Sequence, residues 1–296
     1  MLRTLFCTDI GGIKMAVRGP ENIRTAPDHP HEKQFLCGDA ECDFDVEVAL
    51  GMGCPKVPRN CRKVFDCGEG WRMFAGGEGD SVRHILLKPG GSEEPAWRAS
   101  FSGNVSRVRM YCGEQVIISK NGVTRLSNPV GYPLSPLLSM YFLSSREGLV
   151  MHAAGLDIHG HGVILAGESG AGKSTLAGYA RKDGWKVLSD DRIVLRREAN
   201  GSIYIYGTPW LGETALCGSG KAQLKRIAFL KQGRENRAHS MSAMEKVIGL
   251  LKVVSVPWYD REAAEAIVGF CGELAEIVEC VEFEFNKDAD PVMALG

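Results

Sequence analysis

The 296-residue chain lacks any apolar run approaching the roughly 20 residues a helix needs to cross a bilayer. Its opening, Met1 to Cys7, carries one basic residue, and Thr8-Asp9-Ile10-Gly11 interrupts it before a signal-peptide core can form. These absences set the expectation of a cytoplasmic protein with no membrane partner. The formal net charge is −1, so no global field draws the chain to nucleic acid or anionic lipid. Ten cysteines are present, yet none of their spacings gives the paired C-x-x-C knuckles of zinc sites. Reduced thiols serving as small hydrophobes are the expectation, including for Cys37, Cys42, Cys54, Cys61 and Cys67. There is no internal repeat and no low-complexity tract, and a chain this long can bury a core without disulfides or metals.

What is present divides in two. Residues 1–128 read as a β-rich domain, with period-2 stretches at 44–50, 82–87, 106–111 and 115–119. Two short strands are expected around Gly68-Glu69-Gly70, and turns at Cys112-Gly113, Asn121-Gly122 and Pro89-Gly90-Gly91 separate the others. No chemical constellation stands out there. The boundary is placed at Ser127-Asn128-Pro129. Residues 129–296 then open with Leu134, Leu137, Leu138, Tyr141 and Phe142 at helical spacing, a core face assigned to this second domain. An α/β texture follows: an apolar strand at 163–166, a helix over 173–182 and a strand at 186–188. A hairpin turns at Asn200-Gly201, Ser242 and Glu245 form a capping box, a helix covers 261–278, and a strand at 281–285 closes the sheet.

Between the first strand and helix of that texture lies Gly167-Glu168-Ser169-Gly170-Ala171-Gly172-Lys173-Ser174, which matches G-x-x-x-x-G-K-[ST] with the right element on each side. The glycines let successive backbone N–H groups turn toward one anion, and the helix N-terminus adds its positive dipole end. Lys173 has the reach for the β- and γ-phosphates of a nucleoside triphosphate, and the Ser174 hydroxyl suits Mg²⁺. Ser169 and Thr175 read as local backbone partners. Asp190 and Asp191 end the next strand, where one carboxylate can hold Mg²⁺ while its neighbour accepts a proton. His152 lies upstream of the strand feeding the loop, within credible reach of the γ-phosphate, whereas His159 and His161 read as exposed turn residues. The tight segment Gly207-Thr208-Pro209-Trp210-Leu211-Gly212-Glu213 offers Glu213 as a second metal ligand. Most of the Lys221, Lys225 and Arg226 cluster reads as a solvated face, with Arg234 and Arg237 the better candidates for holding phosphate.

His152, the 162–174 segment, Gly184 and Leu188-Ser189-Asp190-Asp191 together resemble the catalytic domain of the bacterial HPr kinase/phosphorylases. The resemblance implies a mixed-sheet phosphate-loop core of the phosphoenolpyruvate carboxykinase type. It implies ATP and Mg²⁺ as cofactors and transfer of the γ-phosphate to a serine of a protein or peptide. It maps the general base to Asp190, support of the base or metal to Asp191, the histidine beside the transferred phosphate to His152, and the phosphate and magnesium contacts to Lys173 and Ser174. It resembles most a divergent branch found beside peptide-modification systems, some members of which phosphorylate serine in a precursor peptide.

A serine (or threonine) kinase is therefore the leading expectation. A nucleotide-sensing module that transfers nothing is the second, because 207–213 stands where the relatives carry a Glu- and Arg-containing signature. A simple NTP hydrolase is the third. Guanine recognition by N-K-x-D is not met, since Ala289 follows Asn286-Lys287-Asp288, so ATP is preferred. Oligomeric state is open, a homo-oligomer included.

Overall fold

The computed structural model describes residues 2–286 apart from 28, 40, 51–53, 69, 77–81, 89–91, 93 and 121–122. The turns expected at Pro89-Gly90-Gly91 and Asn121-Gly122, Glu69 and residues 287–289 lie outside the described residues. The chain folds as two compact units, one of Met1–Asp9 with Ile13–Phe142, the other of Ile10–Gly12 with Leu143–Gly296.

In the first unit, eight strands form one sheet among the described residues. Their order is Leu2–Ile10, Ile13–Pro20, Phe44–Leu50, Arg107–Cys112, Trp97–Ser102, Val82–Lys88, Gly70–Gly76 and Arg62–Asp66. Alternation explains the central strands: Phe44, Val46 and Val48 are buried while Asp45 and Glu47 are half-exposed between them. The helix Leu134–Ser144 belongs mostly here, so the division falls after Phe142 and not near residue 128. The reason is packing. The Tyr141 ring meets Phe101 edge-on at 5.3 Å, its hydroxyl lies 3.5 Å from the Met73 sulfur, and Phe142 packs on Phe44 at 5.4 Å. The apolar stripe read from the sequence is a core face, but of the other core.

The second unit is a mixed α/β assembly. Strand Gly148–Ile158 pairs antiparallel with His161–Ala166, Lys186–Ser189 and Arg192–Arg197. Arg192–Arg197 continues antiparallel to Ile203–Tyr206, and that strand to Lys221–Gln232. Lys221–Gln232 then pairs parallel with His161–Ala166, so five strands close on themselves in a ring. It also pairs parallel with Glu279–Phe285, which carries Arg237–Ser240 as its outer neighbour. Helix Lys173–Lys182 packs Leu176, Ala177 and Ala180 on a core built from Ala154, Leu156, Leu165, Phe283 and Phe285. Two more helices, Ala243–Val253 and Arg261–Ile277, complete the unit, and the Ser242/Glu245 capping box opens the first of them. No helix among the described residues is long and apolar enough to cross a membrane.

Candidate active site

The phosphate loop leaves strand His161–Ala166 and enters helix Lys173–Lys182 at Gly172, whose backbone is left-handed (φ 107°) and supplies no side-chain cap. The first N–H groups of the helix are thus not claimed by a capping side chain, the condition for binding an anion. Only glycine fits at 172. Beyond the positive φ, a Cβ there would lie 2.3 Å from Cζ of the buried Phe285 ring. Gly172→Ala is expected to cost about 2 kcal/mol or more by adding αL strain to overpacking, read as a lowered midpoint in urea unfolding.

Lys173 is buried and folds back on the loop, donating to the carbonyls of Gly167 at 2.8 Å and Glu168 at 3.1 Å. Burial holds its amine below the usual value, while Asp191 and Glu213 pull the other way. Gln232 donates from Nε2 to the Gly170 carbonyl at 2.9 Å and steadies the loop from the neighbouring strand. Nothing in the sequence marked that glutamine.

The two aspartates are held differently. Asp190, almost fully buried, accepts at Oδ1 from the Gly212 N–H (2.9 Å) and at Oδ2 from the N–H (3.0 Å) and hydroxyl of Thr214. Gly212 is wedged so closely that a Cβ would sit 3.0 Å from Cβ of Asp191 and 3.2 Å from Cγ of Asp190. Asp190 therefore clamps the residues on both sides of Glu213. Asp191 faces the loop: its Oδ1 lies 3.3 Å from Nδ1 of His152, and its Oδ2 is paired with Arg192. Burial holds the His152 imidazole below its usual value, opposed by Asp191 and reinforced by Lys173 and Arg192.

A cavity of about 300 Å³ gathers these groups. Its walls are His152, Asp190, Asp191, Gly212 and Glu213 with the loop residues Ser169, Gly170, Gly172, Lys173, Ser174 and Thr175. Gly167, Glu168 and Ala171 border instead a larger cavity of about 610 Å³, which shares Ser169 and Gly170 with the first and has Phe229, Ile248 and Val253 on its walls. Arg234 and Arg237 line neither cavity. Thr214 and Arg192, each bonded to one aspartate, were missed in the sequence. A threonine one residue beyond a loop glutamate and an arginine starting a strand carry no signal of their own.

Comparison with known proteins gives partial matches. The family described as SynChlorMet cassette protein ScmC matches residues 134–265, less than half of the chain. The chain is similar to the HPr kinase/phosphorylase of Streptococcus uberis, at 35% identity over 81 residues, covering 27% of this chain and 24% of that one. It is similar to that of Bacillus subtilis at 36% over 86 residues, 28% of each. The Hpr(Ser) kinase/phosphatase structure from Coxiella burnetii aligns with a TM-score of 0.24 at 19% identity, covering 31% of this chain and 72% of that one. The chain thus spans about a quarter of the length of the curated relatives it matches. By these matches, about a quarter of the chain is similar to part of the HPr kinase/phosphorylases.

Proposed function

We propose that the second unit is a phosphotransferase that moves the γ-phosphate of ATP to a serine or threonine hydroxyl of a protein or peptide, on a core of the phosphoenolpyruvate carboxykinase type. The observation that carries this reading is the single small cavity. It brings Lys173, Ser174 and three further residues of the phosphate loop, Ser169, Gly170 and Gly172, against the two carboxylates of the strand-end pair, a third carboxylate and an imidazole. Binding alone needs the loop; a hydroxyl acceptor also needs a proton acceptor within the same space.

Lys173 supplies the positive charge for the phosphates, exchanging its two carbonyl partners for phosphate oxygens. Ser174 and Glu213 offer hard oxygen ligands in one cavity, a donor set suited to Mg²⁺, with Asp191 beside them. When bound, the metal would neutralise charge that develops on the transferring phosphoryl group. For the proton, the geometry favours Asp191 over the Asp190 expected from the resemblance. A carboxylate has about four lone-pair sites, and three donors from the 212–214 loop already occupy Asp190. Asp191 has fewer partners, Arg192 at Oδ2 and His152 beside Oδ1, and it lines the cavity. Asp190 becomes the residue that positions Glu213. The larger cavity, with Phe229, Ile248 and Val253, suits the flat apolar faces of a nucleobase next to the loop.

The test is transfer of label. Protein is incubated with γ-labelled ATP, Mg²⁺ and, separately, HPr, serine-bearing peptides encoded beside the gene, or buffer. Label is expected on a serine of one acceptor. Tight ATP binding with label on none of them would leave a sensing module, and release of free phosphate in buffer alone would leave a hydrolase.

A further inference from the structure

The first unit holds a second chemical cluster, made of residues that the candidate active site does not use. The Sγ atoms of Cys7 and Cys42 lie 3.8 Å apart, and the Cys7 Sγ is 4.0 Å from Oδ1 of Asp39. All three ligand atoms fall within 4.8 Å of one another. We propose that Cys7, Asp39 and Cys42 form a zinc site, with the fourth position taken by water or by Cys37.

The two sulfurs are too far apart for a disulfide bond and close enough to share one metal ion. Two thiolates on a tetrahedral Zn²⁺ with Zn–S near 2.3 Å are about 3.8 Å apart, whereas a disulfide needs about 2.0 Å. The observed separation of 3.8 Å matches the tetrahedral edge. A thiolate and a carboxylate oxygen on the same ion are about 3.6 Å apart, so Asp39 needs only a small rotamer adjustment, which its exposed position allows.

The backbone holds this arrangement in place. The Cys37 N–H donates to the Cys7 carbonyl at 3.1 Å, and the Asp9 N–H to that of Phe35 at 2.8 Å. At the other end, Asp43 and Lys14 exchange two bonds: the Asp43 N–H donates to the Lys14 carbonyl, and the Lys14 N–H to the Asp43 carboxylate. Cys37 and Asp43 are thereby tied to the strands that carry Cys7 and Lys14. Arg18, paired chiefly with Asp45 at 2.9 Å, also lies near the site. Two thiolates and a carboxylate leave a dication one negative charge in excess, and Arg18 stands 3.9 Å from the Asp39 carboxylate. The mixed sulfur and oxygen set selects zinc over magnesium or calcium, and binding displaces both thiol protons. Cys7 lies 35 residues from Cys42, so no C-x-x-C spacing announces the site.

The full chain, freed of any affinity tag, is purified under reductant, loaded with Zn²⁺, dialysed and analysed for metal. About one zinc per chain is expected, and Co²⁺ in its place should give thiolate charge-transfer absorption. Cys42→Ser should lose both, while Cys67→Ser, a change at an exposed thiol outside the trio, keeps them. Asp39→Asn leaves both thiols in place and should weaken zinc binding about tenfold even if Cys42→Ser does not fold. Zinc retained at full affinity in Asp39→Asn, or reduced wild-type protein that takes up neither metal, would overturn the proposal.

Discussion

Lys173→Ala is expected to abolish phosphate transfer and to raise the Kd for ATP at least about tenfold, with the protein still folded. The size follows from the setting. Removing one preorganised electrostatic group from a transition state costs about 10²–10³ in rate, and Lys173 is buried and no other Lys or Arg lines the cavity among the described residues. Its two carbonyl partners lose their donor, so a modest loss of stability is expected alongside. Transfer is measured with labelled ATP and binding by calorimetry. Wild-type turnover in Lys173→Ala would remove the phosphate loop from the chemistry. Lys173→Arg should not restore it, because a planar guanidinium cannot occupy the position of the compact ammonium.

The second large effect separates the aspartates. Asp191→Asn is expected to lower transfer by about 10²–10⁴ with ATP affinity nearly unchanged, since it removes a proton acceptor from the cavity, and to lower the unfolding midpoint only slightly through the lost Arg192 pair. Asp190→Asn should behave otherwise. The new amide NH₂ points at donors that now have no acceptor, at a cost of about 1–3 kcal/mol, and the segment bearing Glu213 loosens. Stability falls, and the concentration of Mg²⁺ needed for activity rises. The opposite pattern, with Asp190→Asn folded, stable and dead while Asp191→Asn turns over, would return the base to Asp190.

These assignments show where sequence ran out. Helix 173–182, the hairpin at Asn200-Gly201 and the capping box at Ser242 were readable because each rests on local chemistry: a loop motif, a turn dipeptide, a reciprocal cap. Strand Lys221–Gln232 was read only as a strand ending before Gln232-Gly233, without its extent. Lys221, Lys225 and Arg226 suggested a solvated face, and Ala222 and Leu224 between them, with Ile227 and Ala228 just beyond, are buried. The charges sit at exposed or half-exposed points, Arg226 paired with Glu279, while the small apolar residues do the packing. The aspartate pair was visible as a pair, but its division of labour depends on Gly212 and Thr214, more than twenty residues away. The placement of helix Leu134–Ser144 failed for a similar reason, since its stripe is equally apolar whichever core receives it.

The closed ring of five strands has a consequence for where the site can move. An open sheet frays from its edges, but a strand flanked on both sides has no end from which unzipping can start. Strand His161–Ala166, which delivers the phosphate loop, is laddered to both neighbours. Releasing it means dissolving the whole ring, so the base of the loop belongs to the most cooperative part of the unit. The 212–214 segment belongs to no strand and is tied down largely through one carboxylate, with Glu213 and Thr214 exposed. The anion side of the site is therefore the anvil, and the carboxylate side is the part free to breathe as an acceptor arrives and leaves.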